Sequence, residues 1–209
     1  MEIEAKFRIE NPQVFTTLIS ITQLEDFHFM PQPSIERQHN TYYDTSDARL
    51  EAHQYGLRIR DLGHRRIATL KGPARGSGAL HIRDEWESDI GDDDQPSQWP
   101  ASTVRERTLA LIGDAPLVPL LIIHTERRHI LASRANQLVA ELSLDTGLIR
   151  AGGREQPFRE LEIELMGQGT QADLDELVAL LSAHFPLIPE EQSKLARGLK
   201  LLKGASQQH

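Results

Sequence analysis

Charged and apolar side chains alternate one by one along several short stretches of this chain. In Glu2-Ile-Glu4-Ala-Lys6 two carboxylates and an ammonium occupy alternate positions, and in an extended strand alternate side chains share a face. The same period of two recurs in Leu57-Arg58-Ile59-Arg60, in Arg83-Asp-Glu85-Trp-Glu87 and in Glu160-Leu-Glu162-Ile-Glu164-Leu. Each stretch predicts a strand with one charged and one apolar face.

The rest of the pattern fills in around these strands. Residues 2–10 read as a strand, and Asn11-Pro12 opens a helix running to about Leu24. A strand at 35–43 ends in Tyr42-Tyr43-Asp44-Thr45, and strands at 55–61 and 65–71 flank the hairpin signal Leu62-Gly63-His64. The glycines of 72–78 predict a mobile loop, 80–90 a strand and 91–100 a solvated acidic segment. A helix at 105–112 precedes a long strand at 117–131, a turn at 133–136, a strand at 137–145 and a turn at Gly147. A strand at 158–166 and amphipathic helices at 172–184 and 190–203 complete the chain. About eight strands, mostly joined by hairpin-length turns, predict an α+β, mainly β fold. Its expected form is an eight-stranded antiparallel closed β-barrel, a tunnel with a charged interior, surrounded by helices. Residues 1–203 are expected to form a single domain and 204–209 a C-terminal tail.

Composition narrows the function. The sequence has 209 residues, 39% of them hydrophobic and 26% charged, and no apolar run approaches the roughly 18 residues that a membrane helix needs. A net charge of -8 argues against a general nucleic-acid surface while leaving room for a local anion pocket. The acidic start resembles neither a secretory signal nor a transit peptide, and the absence of cysteine fits a cytoplasmic protein. Neither nucleic acid nor membrane is an expected partner, and the state is either monomer or homodimer.

A charged strand face ordinarily meets water. A small barrel inverts that arrangement when helices cover its apolar outside and its interior is wide enough for a ligand. Here acidic pairs and arginine pairs sit on separate strands, which raises the interior reading without displacing the solvated one. Confined carboxylates repel one another unless a cation holds them ionised, and clustered hard oxygens suit Mg²⁺ or Mn²⁺. The histidines lack zinc spacing. Arginines facing such an ion would fork onto phosphate oxygens, so the pattern points to a phosphorylated substrate.

These motifs, together with Thr69-Leu70-Lys71, Leu144-Asp145-Thr146-Gly147 and Ser193-Lys194-Leu-Ala-Arg197-Gly198, resemble the CYTH superfamily, the triphosphate tunnel metalloenzymes, in order over about residues 2–202. Within it the chain is most similar to the bacterial inorganic triphosphatases, some of which carry a C-terminal CHAD domain that these 209 residues do not include. The resemblance implies a tunnel holding a divalent metal. It assigns Glu2, Glu4, Asp145, Glu162 and Glu164 to the metal, and Lys6, Arg58, Arg60, Lys71, Arg127 and Lys194 to the triphosphate. Arg83 and Arg197 are added to the substrate set. Glu85 matches a tunnel carboxylate, and Glu87 and Glu160 would support the acidic rows. Thr125-Glu126-Arg127-Arg128 departs from the family's Lys-x-Arg pair, and alternation favours Arg127 as the inward arginine.

The implied reaction is metal-dependent hydrolysis of inorganic triphosphate to pyrophosphate and phosphate, with Lys6, Glu2, Glu4, Glu162 and Glu164 as the catalytic set. Water would attack the terminal phosphorus, activated by a second metal or an acidic-row carboxylate. Lys6, with Tyr42 or Tyr43, would protonate or stabilise the leaving group. The alternatives are a thiamine or nucleoside triphosphatase, a class IV-type adenylyl cyclase and a non-catalytic polyphosphate-binding module. An aromatic content of 5%, with no evident pair to sandwich a ring, favours the inorganic substrate.

Overall fold

In the computed structural model, which describes residues 1–206, the strands run in chain order as β1 (Glu2–Arg8), β2 (Gln23–Leu24), β3 (Phe27–Thr45), β4 (Gly56–Asp61), β5 (Arg66–Lys71), β6 (Leu80–Arg83), β7 (Glu85–Ile90), β8 (Leu117–Arg134), β9 (Gln137–Ala151), β10 (Arg154–Leu165) and β11 (Ile188–Pro189). The helices are α1 (Gln13–Ser20), α2 (Arg49–Ala52), α3 (Thr103–Ile112), α4 (Gln171–His184) and α5 (Lys194–Ser206). All strand pairings are antiparallel. They form one 11-stranded sheet in the order β11-β1-β10-β9-β8-β3-β4-β5-β7, with β2 on β3 and β6 on β1.

The mainly β, antiparallel expectation therefore holds, while the strand count and the closure differ from it. Eleven strands replace eight because β2 and β11 are two-residue additions and because the expected strand at 80–90 is broken at Asp84. As hydrogen-bonded ladders the sheet is an open path from β11 to β7.

The apolar faces show why the charged faces turn inward. Ala5 and Phe7 of β1, Leu142 and Leu144 of β9, and Leu161 and Ile163 of β10 share one core with Val14 and Leu18 of α1 and Leu174, Leu177 and Leu181 of α4. On the opposite flank Leu57 and Ile59 of β4 and Ala68 and Leu70 of β5 pack with Leu50 of α2 and Val104 and Ile112 of α3. Burial of each such Leu, Ile or Phe side chain contributes about 1.5–3 kcal/mol. With helices on the outside, the alternate residues Glu4, Lys6, Thr69, Asp145 and Glu160 end up buried rather than solvated.

Local signals explain the helix starts. Ser102 accepts a hydrogen bond from the Arg105 amide at the start of α3, and Thr170 and Asp173 form a capping box on α4. Helix α1 ends at Ser20, short of the expected Leu24, because Gln23 and Leu24 pair with β3 instead. Gly147 does not make the expected turn. It lies within β9, and a Cβ there would stand 2.2 Å from the His124 carbonyl oxygen and 2.6 Å from Phe158 Cζ. Residues 204–206 of the expected tail continue α5, and the rest of that tail lies outside the described residues.

Candidate active site

The inward faces of the strands and the first turn of α5 enclose a cavity of about 850 Å³. Ladder register sets opposite charges directly across from one another. Lys6 faces Glu162, Glu2 faces Arg83, Arg127 faces Asp145 and Lys71 faces Glu85.

Three linked groups result. Arg83 donates to Glu2 and to Glu4, both at 2.8 Å, and Lys71 reaches Glu2 at 2.9 Å and Glu85 at 2.7 Å. Lys6 stands 3.0 Å from Glu4 and 3.5 Å from Glu162. Arg127 forks onto Asp145 through two bonds of 2.7 Å and donates to Glu162 at 2.6 Å. Lys194 meets Asp145 at 3.0 Å, Glu160 at 2.6 Å and Glu162 at 2.7 Å. Arg127 lines the cavity while Arg128 is exposed.

Burial and pairing compete in setting the protonation states. Burial works to raise the Glu2, Asp145 and Glu162 carboxyls, but neighbouring cations hold all three below the usual carboxylate range: Lys71 and Arg83 for Glu2, Arg127 and Lys194 for Asp145, and Lys194, Lys6 and Arg127 for Glu162. Burial would lower Lys6, yet Glu4 and Glu162 raise it, so it stays an ammonium. Lys194 is raised against its burial by Glu160, Glu162 and Asp145.

Glu164 behaves differently. It makes no ion pair among the described residues, and burial together with the nearby Glu2 and Glu4 pushes its carboxyl up to about 7. Glu85 is raised as well, by burial and by Glu2 against the pull of Lys71.

On the cationic wall Arg58 and Arg60 also lack a carboxylate partner among the described residues. Arg58 donates to Thr69 Oγ1 at 3.1 Å and leaves a buried Nε without an acceptor. Arg60 donates to Asn40 Oδ1 at 3.2 Å, and burial, aided by Arg58 and Arg127, lowers it to about 10. Two guanidinium groups lining a cavity without an ion pair of their own, with Glu36 and Glu87 only nearby, form a place for an anion.

The structure brings Glu2, Lys6, Arg58, Arg60, Lys71, Arg83, Glu85, Arg127, Asp145, Glu162, Glu164 and Lys194 to one cavity, with Glu87 beside them. Glu4 is buried against it through Lys6 and Arg83. Arg197 lines a smaller cavity on the other side of α5 instead, and the buried Glu160 joins it to Lys194. Tyr42 and Tyr43 both line the main cavity, but the Tyr43 hydroxyl donates to Asp94 at 2.7 Å, and burial with that bond raises its pKa. Asp94 also pairs with Arg66, so the acidic segment is tied to the sheet rather than freely solvated.

Sequence reasoning passed over Glu36, Gln38 and Asn40 of β3 and the His129–Glu141 pair, bonded at 2.8 Å, all of which line the cavity. Their signal was the same alternation, in Glu36-x-Gln38-x-Asn40 and Glu141-x-Ser143-x-Asp145, carried by milder polar residues.

The donor set can be tested against a divalent ion. Its chemistry fits, since Glu2, Glu4 and Glu164 offer hard carboxylate oxygens, and Glu164 is raised first by burial and then by the neighbouring Glu2 and Glu4. As the side chains stand, no group of three or more His, Cys, Asp or Glu among the described residues forms a shell ready to hold an ion. Ammonium and guanidinium groups occupy the oxygens of Glu2, Glu4, Asp145 and Glu162.

Fold and cavity together define a class: an antiparallel β protein whose strands turn a charged, ligand-sized interior inward. The sequence matches the CYTH domain over residues 1–199, and the chain belongs to that family. It is 30% identical over 162 residues to the inorganic triphosphatase of Haemophilus influenzae, covering 78% of this chain and 45% of that protein. The chain thus spans a little under half the length of that relative. Among solved structures it resembles one from Hippeastrum, described as an adenylyl cyclase candidate with a dominant triphosphatase activity, at TM-score 0.67, 22% identity and 97% coverage of both chains. It also resembles an adenylate cyclase candidate from Bacillus halodurans at TM-score 0.60 and 23% identity, covering 92% of this chain and 95% of that one. At these identities the two structures speak for the fold.

Proposed function

We propose that this chain hydrolyses inorganic triphosphate to pyrophosphate and phosphate inside the charged cavity, with Mg²⁺ or Mn²⁺. The observation that carries the reading is the division of the cavity wall. Arg58 and Arg60 line it without an ion pair among the described residues, although Glu36 and Glu87 stand near enough to act on Arg60, while the carboxylates of β1, β9 and β10 line the same cavity. The family membership and the Haemophilus influenzae relative support it.

In this reading the open ladder path is completed along the chain, β6 and β7 serving as one bent strand at Asp84 that joins the two edges of a barrel. The support is that β6 pairs with β1 and β7 with β5, with Asp84 as the single residue between β6 and β7. Residues 1–203 act as one unit, a cytoplasmic monomer or homodimer.

Triphosphate carries roughly four negative charges at neutral pH, so positioning and charge neutralisation dominate catalysis. Arg58, Arg60 and Lys71 grip the phosphate chain, while Arg127 and Lys194 receive phosphate oxygens in exchange for Asp145 and Glu162. That exchange frees the carboxylates, and Glu2, Glu4, Asp145, Glu162 and Glu164 would then hold the ion. When bound, the ion supplies neutralisation of phosphate charge and acidifies water. The attacking water forms a bond to the terminal phosphorus as the bridging P–O bond breaks, and its proton passes to an acidic-row carboxylate. Lys6 stabilises the leaving oxygen as an ammonium, since Glu4 and Glu162 make it a poorer acid than a free lysine.

A second reading has one specific observation in its favour. Tyr42, Tyr55, Leu120, Leu195 and Leu199 line the cavity where β3, β4, β8 and α5 meet, and Tyr55 stacks on Trp86 with centroids 6.4 Å apart. This surface suits an organic group on a triphosphate, as in thiamine or nucleoside triphosphates, and the low aromatic content did not reveal it. Initial rates on triphosphate, thiamine triphosphate, ATP and pyrophosphate decide between the readings. Preference for inorganic triphosphate supports the first and preference for an organic triphosphate the second. Cyclic AMP formation would establish a cyclase, and tight binding without turnover a polyphosphate-binding module.

A further inference from the structure

Beyond the main cavity, α5 has a second cavity on its far side, of about 700 Å³, where Arg8, Arg159, Arg197 and Lys200 converge. Strand alternation puts Arg8 on the face of β1 that carries Lys6, and Gln156 and Phe158 on the face of β10 that carries Glu160. The cavity therefore lies at the end of the charged interior, past the turn of α5 that holds Lys194, and Arg159, which alternation puts on the other face of β10, lines it as well. Phe158 forms the partition, with Lys194 Nζ 5.2 Å and Arg197 Cζ 5.6 Å from its ring centre.

The cations of this cavity are under-used. Arg159 and Lys200 make no ion pair among the described residues. Arg197 is only 8% exposed, its Nε is buried without a hydrogen-bond partner, and the nearest carboxylate to its Nη1, that of Glu190, lies 3.7 Å away. Only its Nη2 is fully engaged, by Glu160. A buried guanidinium whose Nε lacks an acceptor, flanked by two cations without an ion pair, leaves a donor and positive charge for an anion. Glu10 and Glu190 line the cavity as well, Glu10 paired with Arg8 and Glu190 with Arg197, so its excess positive charge comes from Arg159 and Lys200.

We infer that this cavity is a second anion site, separate from the triphosphate cradle, that binds a small phosphate anion such as orthophosphate or pyrophosphate on Arg197, Arg159 and Lys200. Tetrahedral phosphate oxygens match a guanidinium fork with flanking charges. Occupancy is felt in the main cavity, because Glu160 shares its two oxygens between Arg197 and Lys194, and Lys194 in turn holds Asp145 and Glu162. The inference draws on the proposed triphosphatase reading only for the choice of phosphate anions. Its test involves no turnover, so the two can fail independently.

Calorimetric titration with orthophosphate and with pyrophosphate, in chelator, tests it on the wild-type chain, on Arg58→Ala and on the double variant Arg159→Ala/Lys200→Ala. Two sites are expected for at least one of these anions. The double variant should weaken one of them at least tenfold, with unchanged thermal unfolding, and Arg58→Ala should weaken the other. Arg197→Lys, which keeps the charge near Glu160 but loses the fork, should weaken the same site as the double variant. A single phosphate site sensitive only to Arg58→Ala, or binding indifferent to the double variant and to Arg197→Lys, would overturn the inference.

Discussion

Arg58 and Glu164 are the two side chains whose surroundings leave them most in need of a ligand. Arg58 keeps a buried Nε without an acceptor, so its truncation removes substrate contact without breaking an internal ion pair. Arg58→Ala should raise KM for triphosphate roughly thirty-fold, a loss of about 2 kcal/mol, with a smaller change in kcat. Glu164 is the opposite case, a carboxyl at about 7 against an ordinary 4.5 because it is buried beside Glu2 and Glu4. Between those two values the folded protein binds the proton more tightly than the unfolded chain, so stability falls as pH rises through the window. The groups held low, Glu2, Asp145 and Glu162, change stability only at more acidic pH. In chelator, unfolding should therefore become easier from pH 5 to pH 8, and Glu164→Gln should recover about 3 kcal/mol at the alkaline end. A variant with an unchanged pH profile in denaturant titrations would show that Glu164 is not the responsible group.

Elements differ in how plainly their sequence announces them. Strands β1, β4 and β10 were legible because charge and apolar residues alternate strictly, and those same strands hold most of the site. Strand β3 was read as 35–43 but spans Phe27–Thr45, since Pro31, Pro33 and a register shift between Pro31 and Ile35 interrupt the alternation without ending the pairing to β8. Gly147 looked like a turn residue, yet its lack of a side chain serves close packing against β8 and Phe158. Gly147→Ala should destabilise the protein by at least about 1–3 kcal/mol, read by thermal unfolding, because a backbone oxygen stands where the methyl would go. Arg197 enters the candidate substrate set through the family's Ser-Lys-x-x-Arg-Gly ending, since its spacing from Lys194 alone reads as a solvated helix face. Which cavity it serves depends on how α5 crosses the end of the sheet, and no local pattern encodes that.

At the scale of the whole molecule, helices cover the apolar outside of the sheet and leave a mutually paired set of acids and bases within. Pairing substitutes for solvation, since isolated buried charges would be prohibitive. Under the proposed function the same pairing would let the cavity accept both an ion and a polyanion, because each incoming charge takes over partners already in place. Among the described residues no helix is long and apolar enough to cross a membrane. The central claim is that this cavity hydrolyses triphosphate with a divalent ion held by its carboxylates. The most direct measurement is phosphate release from inorganic triphosphate by the wild-type chain and by Glu162→Gln, each with Mg²⁺, with Mn²⁺ and with chelator. The account predicts turnover by the wild type that requires the ion, and loss of at least a hundredfold in Glu162→Gln with the fold retained by circular dichroism, about 3 kcal/mol of transition-state stabilisation. Full activity in chelator, or an unimpaired Glu162→Gln, would contradict it.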